Sequence, residues 1–147
     1  MNNSAGYTLA ELVVTIVLLG TLTSMAVPTY NKVINKAQIQ ANLSDLDTIK
    51  NTFMQYFYVT HMKGNPHFPP EPENNLLDST YREITLEDGR TPDQLFSGDL
   101  PYNSNENPYI YYWDDDTTEM GYITKRIIIK DTDPDSPSLN EYVIGEI

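Results

Sequence analysis

Hydrophobic and polar positions divide the chain into three zones. From Tyr7 to Tyr30 the only charged residue is Glu11 and there is no Lys or Arg. Leu12-Val13-Val14-Thr15-Ile16-Val17-Leu18-Leu19 is the most apolar part of this run. As a helix, Tyr7 to Val27 spans about 31 Å at 1.5 Å per residue, and a bilayer's hydrocarbon core is about 30 Å thick. Thr21, Thr23 and Ser24 can bond back to helix carbonyls, which makes them tolerable in lipid. Beyond Pro28 a helical period continues in two stripes. Tyr30, Val33, Ile34, Ala37 and Ala41 fall on one face. Ile39, Leu43, Leu46, Ile49, Phe53 and Phe57 fall on roughly the opposite one. Two apolar faces on one helix imply two partners. The later stripe is expected to pack on the chain's own sheet and the earlier one on neighbouring copies. Gly64 and Pro66 stop the helix near Thr60 to Lys63.

The third zone is rich in Pro and turn residues, so no long helix follows. Residues 64–80 read as an extended loop, Glu83 to Leu86 as a short strand, and Glu87-Asp88-Gly89-Arg90 as a turn. Thr91 is placed to cap a short helix with Pro92 at its first position, running through Phe96. Tyr109 to Trp113, Gly121 to Lys130 and Glu141 to Ile147 are aromatic or β-branched runs. Asp114 to Glu119 and Asp131 to Asn140 connect them. The expected fold class is α+β: a long N-terminal helix, membrane-spanning in its first half and amphipathic in its second, packed on a small antiparallel C-terminal β-sheet.

Composition sharpens this outline. The 147 residues allow one helix-plus-head unit. The net charge of −12 falls almost wholly beyond residue 28. A head this acidic repels phosphate backbones, so direct nucleic acid binding by it is not expected. The absence of Cys excludes disulfides, zinc knuckles and thiol nucleophiles. No Gly-rich phosphate loop, Gly-x-Ser-x-Gly or His-Glu-x-x-His occurs, so no catalytic constellation stands out and the chain does not read as an enzyme. His61 and His67 read as exposed polar residues. The eleven tyrosines lie mostly where aromatics pack, in strands or on the helix.

Gly6-Tyr7-Thr8-Leu9-Ala10-Glu11 ahead of the apolar run resembles the processing site of type IV pilins and type II secretion pseudopilins. The resemblance implies cleavage by a prepilin peptidase between Gly6 and Tyr7 and methylation of the new amine. Glu11 becomes the fifth residue of the mature chain, and Gly20 and Pro28 match positions where the family carries helix-weakening residues. The leader Met1 to Gly6 lacks the Lys or Arg usual in the family, which leaves a weak topological signal. The implied organisation is leader 1–6, filament-core helix 7–28, amphipathic helix 29–63 and globular head 64–147. Asn107 to Tyr112 also resembles the entry to the first sheet strand of major pseudopilins.

The function implied by the resemblance is assembly. The family pairs the carboxylate equivalent to Glu11 with the N-terminal amine of a neighbouring subunit. A lone carboxylate in the bilayer costs roughly 2.5–3.5 kcal/mol even on lenient scales, so a partner is expected. The implied partners are the chain itself as a helical homopolymer, the prepilin peptidase, an assembly ATPase, a platform membrane protein, and minor pilins or pseudopilins. The precursor belongs in the inner membrane and the filament in the periplasm or on the cell surface. The alternative is a membrane-anchored acidic module that does not polymerise.

One cofactor enters. Many major pilins close a C-terminal loop with a disulfide, whereas major pseudopilins hold calcium there. Asp114, Asp115 and Asp116 form one carboxylate cluster, and Asp131, Asp133 and Asp135 another. Calcium takes six to eight oxygen ligands of this kind. Asp is also an ordinary hairpin-turn residue, so calcium and solvated turns both stand as readings.

Overall fold

The computed structural model describes residues 7–117 and 123–147, with side chains described outside 116–123. The leader 1–6, including Gly6, and residues 118–122 lie outside the described residues. The first element, α1 (Leu9–Met62), is a single helix with Pro28, one of the two expected helix-weakening residues, inside it. Proline removes one hydrogen bond and crowds the preceding turn. Around it the hydroxyls of Thr21, Thr23, Ser24 and Thr29 bond back to carbonyls three or four residues earlier, at 2.7–3.2 Å. The far end closes as a Schellman motif. Asn65 N–H donates to the Thr60 carbonyl at 3.1 Å, and Gly64 N–H to that of His61 at 3.0 Å. Gly64 sits at φ +86°, a conformation that favours glycine.

Chain contacts divide the molecule into two compact units, Met1–Ala37 and Gln38–Ile147. In the first, the large apolar side chains from Leu9 to Ile34 are exposed. An 18-residue window there has mean hydropathy 2.0 and is 0% buried, so the helix is long and apolar enough to cross a membrane.

The second unit holds the core. Leu46, Ile49, Phe53 and Phe57 on α1 pack with Leu77, Tyr81, Leu100, Tyr109, Tyr111, Ile127 and Ile129. The Phe53 and Tyr111 rings meet edge to face with centroids 4.7 Å apart. The expected stripe is therefore the packed face, to which Tyr56, Thr60 and the polar Asn42 are added. The sheet is the expected meander of β1 (Ile110–Thr117), β2 (Ile123–Lys130) and β3 (Tyr142–Glu146), antiparallel in the order β1-β2-β3. Gly145 lies so close to α1 that a Cβ on it would stand 2.9 Å from the Met54 sulfur.

Three local expectations change. Residues 83–86 form no strand. Asp78 instead caps a one-turn helix, α2 (Ser79–Arg82), accepting from the Thr80 and Tyr81 amides, and Leu86 opens the turn that closes at Arg90. The short helix after Thr91 is a 3₁₀ turn, Pro92–Leu95. Asp114, Asp115 and Asp116 lie within β1 rather than in a connecting loop. Asp114 pairs with Arg126 at 3.2 Å and Asp115 lies opposite Lys125, so cross-strand charge extends the hairpin beyond its apolar part.

Candidate functional site

Two places concentrate the chemistry, one at the start of α1 and one at the C-terminal loops. At the first, Thr8 and Glu11 form a capping box. Glu11 Oε2 accepts from both the Thr8 amide and the Thr8 hydroxyl at 2.8 Å, and the Glu11 amide donates to Thr8 Oγ1 at 3.3 Å. Helix starts carry orphan amides, and a Thr-x-x-Glu spacing satisfies two of them reciprocally. Thr15 adds a hydroxyl bond to the Glu11 carbonyl. The sequence reading placed the partner of Glu11 outside its own chain and missed this one. The signal was present as Thr8-Leu9-Ala10-Glu11, a capping-box pattern directly before an apolar run. Tyr7, the residue expected to begin the mature chain, is exposed beside it. Gly20 has open space around the position of a Cβ, so packing does not demand glycine there.

The second place is a buried polar network. Asp131 is fully buried at the end of β2. Its Oδ2 accepts from the Ser136 and Ser138 hydroxyls at 2.5 and 2.6 Å, and its Oδ1 from the Asp133 amide and Asn103 Nδ2 at 3.1 and 3.2 Å. Asn42, on α1, donates to Ser138 at 2.6 Å and accepts from the Ser104 amide at 2.9 Å. Asn103 and Asn105 also donate to Asp133, and Asp133 accepts from the Asp135 amide at 3.0 Å. The amides of Asn107 and Asn105 lead in holding the Asp133 carboxyl down to about 2.

The two Asp clusters are thus not brought together. Asp114 sits four residues along β1 from Ile110, whose β2 partner Lys130 precedes Asp131, roughly 13 Å at strand rise. Asp131 and Asp133 share the Asn103 amide, whereas Asp135 is exposed. Among the described residues, no three His, Asp or Glu side chains gather as a metal-holding group. His67 is half-buried rather than exposed, with Nδ1 at 2.7 Å from the Asn65 carbonyl and Nε2 at 3.2 Å from the Tyr56 hydroxyl.

Comparison with known proteins bears on the N-terminal segment that holds the first of these places. Residues 1–27 match the family model of the prokaryotic N-terminal methylation motif, the signature of type IV pilins and pseudopilins. Proteins carrying this motif are structural rather than enzymatic, and an N-terminal apolar helix behind it fits inner-membrane anchoring of a precursor. Neither a curated protein nor a solved structure gives a match.

Proposed function

We propose that the chain is the precursor of a filament subunit, cut between Gly6 and Tyr7, N-methylated at Tyr7, and polymerised through its apolar N-terminal helix into a type IV pilus or a type II secretion pseudopilus. The observation that carries this is the methylation motif over residues 1–27, directly continued by an exposed apolar helix. Methylation keeps the amine of Tyr7 positive. Inside a bundle of apolar helices that charge finds the Glu11 carboxylate of the neighbouring subunit. A charge-assisted pair of this kind is strong in low dielectric, and leaving either member alone costs several kcal/mol. Glu11 then acts as a register device, satisfied only at one axial offset. Gly20 and Pro28 are the places where the helix yields to fit the bundle. A prepilin peptidase, an assembly ATPase, a platform membrane protein and minor subunits are the partners this process calls for.

The capping box favours a second reading, an anchored acidic module that stays monomeric, because it gives Glu11 work within its own chain. Glu11→Gln separates the two. Glutamine at this position still caps the helix, whereas its side chain carries no charge. Membrane insertion and cleavage should persist in this variant while filament yield falls by about tenfold or more. Wild-type yield would overturn the pairing. Processing is tested by the N-terminal peptide mass of protein from its native membrane. A chain that begins at Tyr7 and carries one methyl is expected. A chain beginning at Met1, in cells with an active prepilin peptidase, would overturn the filament reading.

A further inference from the structure

One contact between α1 and β3 is made by a methionine. Gly145 of β3 has no side chain, and Met54 of α1 fills the space. Its Sδ and Cγ lie 2.9 and 3.2 Å from where a Cβ would stand, beside Ile127 Cγ1 at 3.0 Å. Among the described residues β3 pairs with β2 alone, so its other edge has no strand neighbour. Met54 is half-buried and packs against the core. It also lines an open groove of about 390 Å³ between α1 and β3, together with Asn51, Tyr58 and Ile144. The side chain is therefore packed on its inner side and reachable by a small molecule from its outer side.

The other methionines among the described residues differ. Met25 and Met62 are 75% and 79% exposed, and neither packs against the core. We propose that Met54 is an oxidant-sensitive modification site, whose sulfoxide loosens β3 from α1 and whose reduction closes the joint again. The oxidant is a peroxide. The thioether sulfur gives an electron pair to one peroxide oxygen, the S–O bond forms as the O–O bond breaks, and the transferred oxygen's proton goes to the departing hydroxide to make water. The sulfur loses two electrons and the peroxide gains them. The product is polar and bulkier than the thioether. Toward the sheet it meets Gly145 and the fully buried Ile127, a packed apolar surface that has no room for an added oxygen. Return is by two thiols of a methionine sulfoxide reductase, which remove the oxygen as water and become a disulfide. The site uses only head residues and does not depend on the N-terminal helix or its processing.

The chain has no cysteine, so its methionines are the only sulfur a peroxide can reach. The full chain, purified in detergent, is treated with hydrogen peroxide, and peptide masses are read beside the thermal midpoint of unfolding. The peptide that holds Met54 should gain one oxygen. The midpoint should fall by about 5 °C or more, the shift expected when a polar group is forced into a packed site in a chain of this size. Methionine sulfoxide reductases of both epimer specificities, supplied with a dithiol, should restore it. Met54→Leu keeps the volume, and its midpoint should move by less than about 2 °C in peroxide. Met62→Leu leaves Met54 in place and should show the full fall, which keeps the test open if Met54→Leu folds poorly. Oxygen on Met62 with none on Met54 overturns the proposal. An unmoved midpoint in protein oxidised at Met54 overturns it too, as does a full fall in Met54→Leu or the loss of the fall in Met62→Leu.

Discussion

Single side chains set the behaviour of both candidate sites. Thr8 does two things, capping α1 and orienting the Glu11 carboxylate through its hydroxyl and amide. Thr8→Val keeps the shape and removes the hydroxyl, whereas Thr8→Ser keeps both functions. Losing a cap costs about 0.5–2 kcal/mol of helix stability. Filament yield should therefore fall in Thr8→Val and recover in Thr8→Ser, read as sheared or periplasmic filament against total subunit. Equal yield in both variants would confine Thr8 to the helix end. Asp133 makes a second residue-level prediction. Its carboxyl is depressed from 3.8 to about 2 by the Asn107 and Asn105 amides. A group held down in the folded state contributes stability that is fully present above its unfolded value and is lost as pH falls through the folded one. Acid unfolding should therefore steepen between about pH 4 and pH 2, and Asp133→Asn should remove that part of the profile. A variant profile parallel to the wild type across that window would show that the asparagine amides do not set the acid limb. At this scale the sequence was legible where residue type and spacing coincide in a known pattern, as in the methylation motif over residues 1–27. It was not legible where three asparagines and a serine-rich loop meet, because no local pattern announces that Asn42 lies beside Ser138.

Elements follow a similar division. The long helix, its packed stripe and the three-strand meander could be read from periodicity, since apolar spacing over many residues reports which face must be buried. The strand expected at 83–86 failed because Asp78 found the amides of Thr80 and Tyr81 and started a helical turn. Side-chain capping of this kind outweighs the weak strand preference of a four-residue run. The hairpin outran its apolar stretch because Asp114 and Arg126 face each other across it. A close joint between elements is that of Gly145 against Met54 on α1. Gly145→Ala would press a methyl into the Met54 sulfur, and forcing extra atoms into a packed contact costs about 1–3 kcal/mol. Met54→Ala in the same chain opens the space. The double variant should be more stable than the sum of the single losses allows, read as thermal midpoints in a double-mutant cycle. Strict additivity would mean that the two groups do not meet. The edge position of β3 matters here too, since a weakened joint on α1 would loosen the strand that carries Tyr142 and Ile144.

For the molecule as a whole, the question is what holds the C-terminal third in place without a disulfide. The Asp131 network supplies an answer that joins distant parts of the sequence. Asn42 on α1, Asn103 and Ser104 in the loop before β1, and Ser136 and Ser138 in the loop before β3 all converge on it. Each bond to a buried carboxylate contributes about 1.5–3 kcal/mol, so Ser138→Ala should lower the unfolding free energy by that amount and Asn42→Ala by at least as much. The groups facing Asp131 and Asp133 are N–H and O–H donors, which serve a carboxylate in the way a cation otherwise would. On this basis the head should hold its C-terminal loop in a chelator. A calcium site at a hundredfold over its dissociation constant adds about 2.7 kcal/mol to stability, which for a chain of this length raises the midpoint by roughly 5–10 °C. The measurement is the thermal midpoint of the purified protein in excess chelator and in millimolar calcium. A change under about 2 °C, together with the Ser138→Ala loss in both buffers, leaves hydrogen bonds alone holding the loop. A rise of 5 °C or more, abolished by Asp133→Asn, would make these same carboxylates ligands and turn the asparagine amides into a substitute arrangement for the metal-free protein.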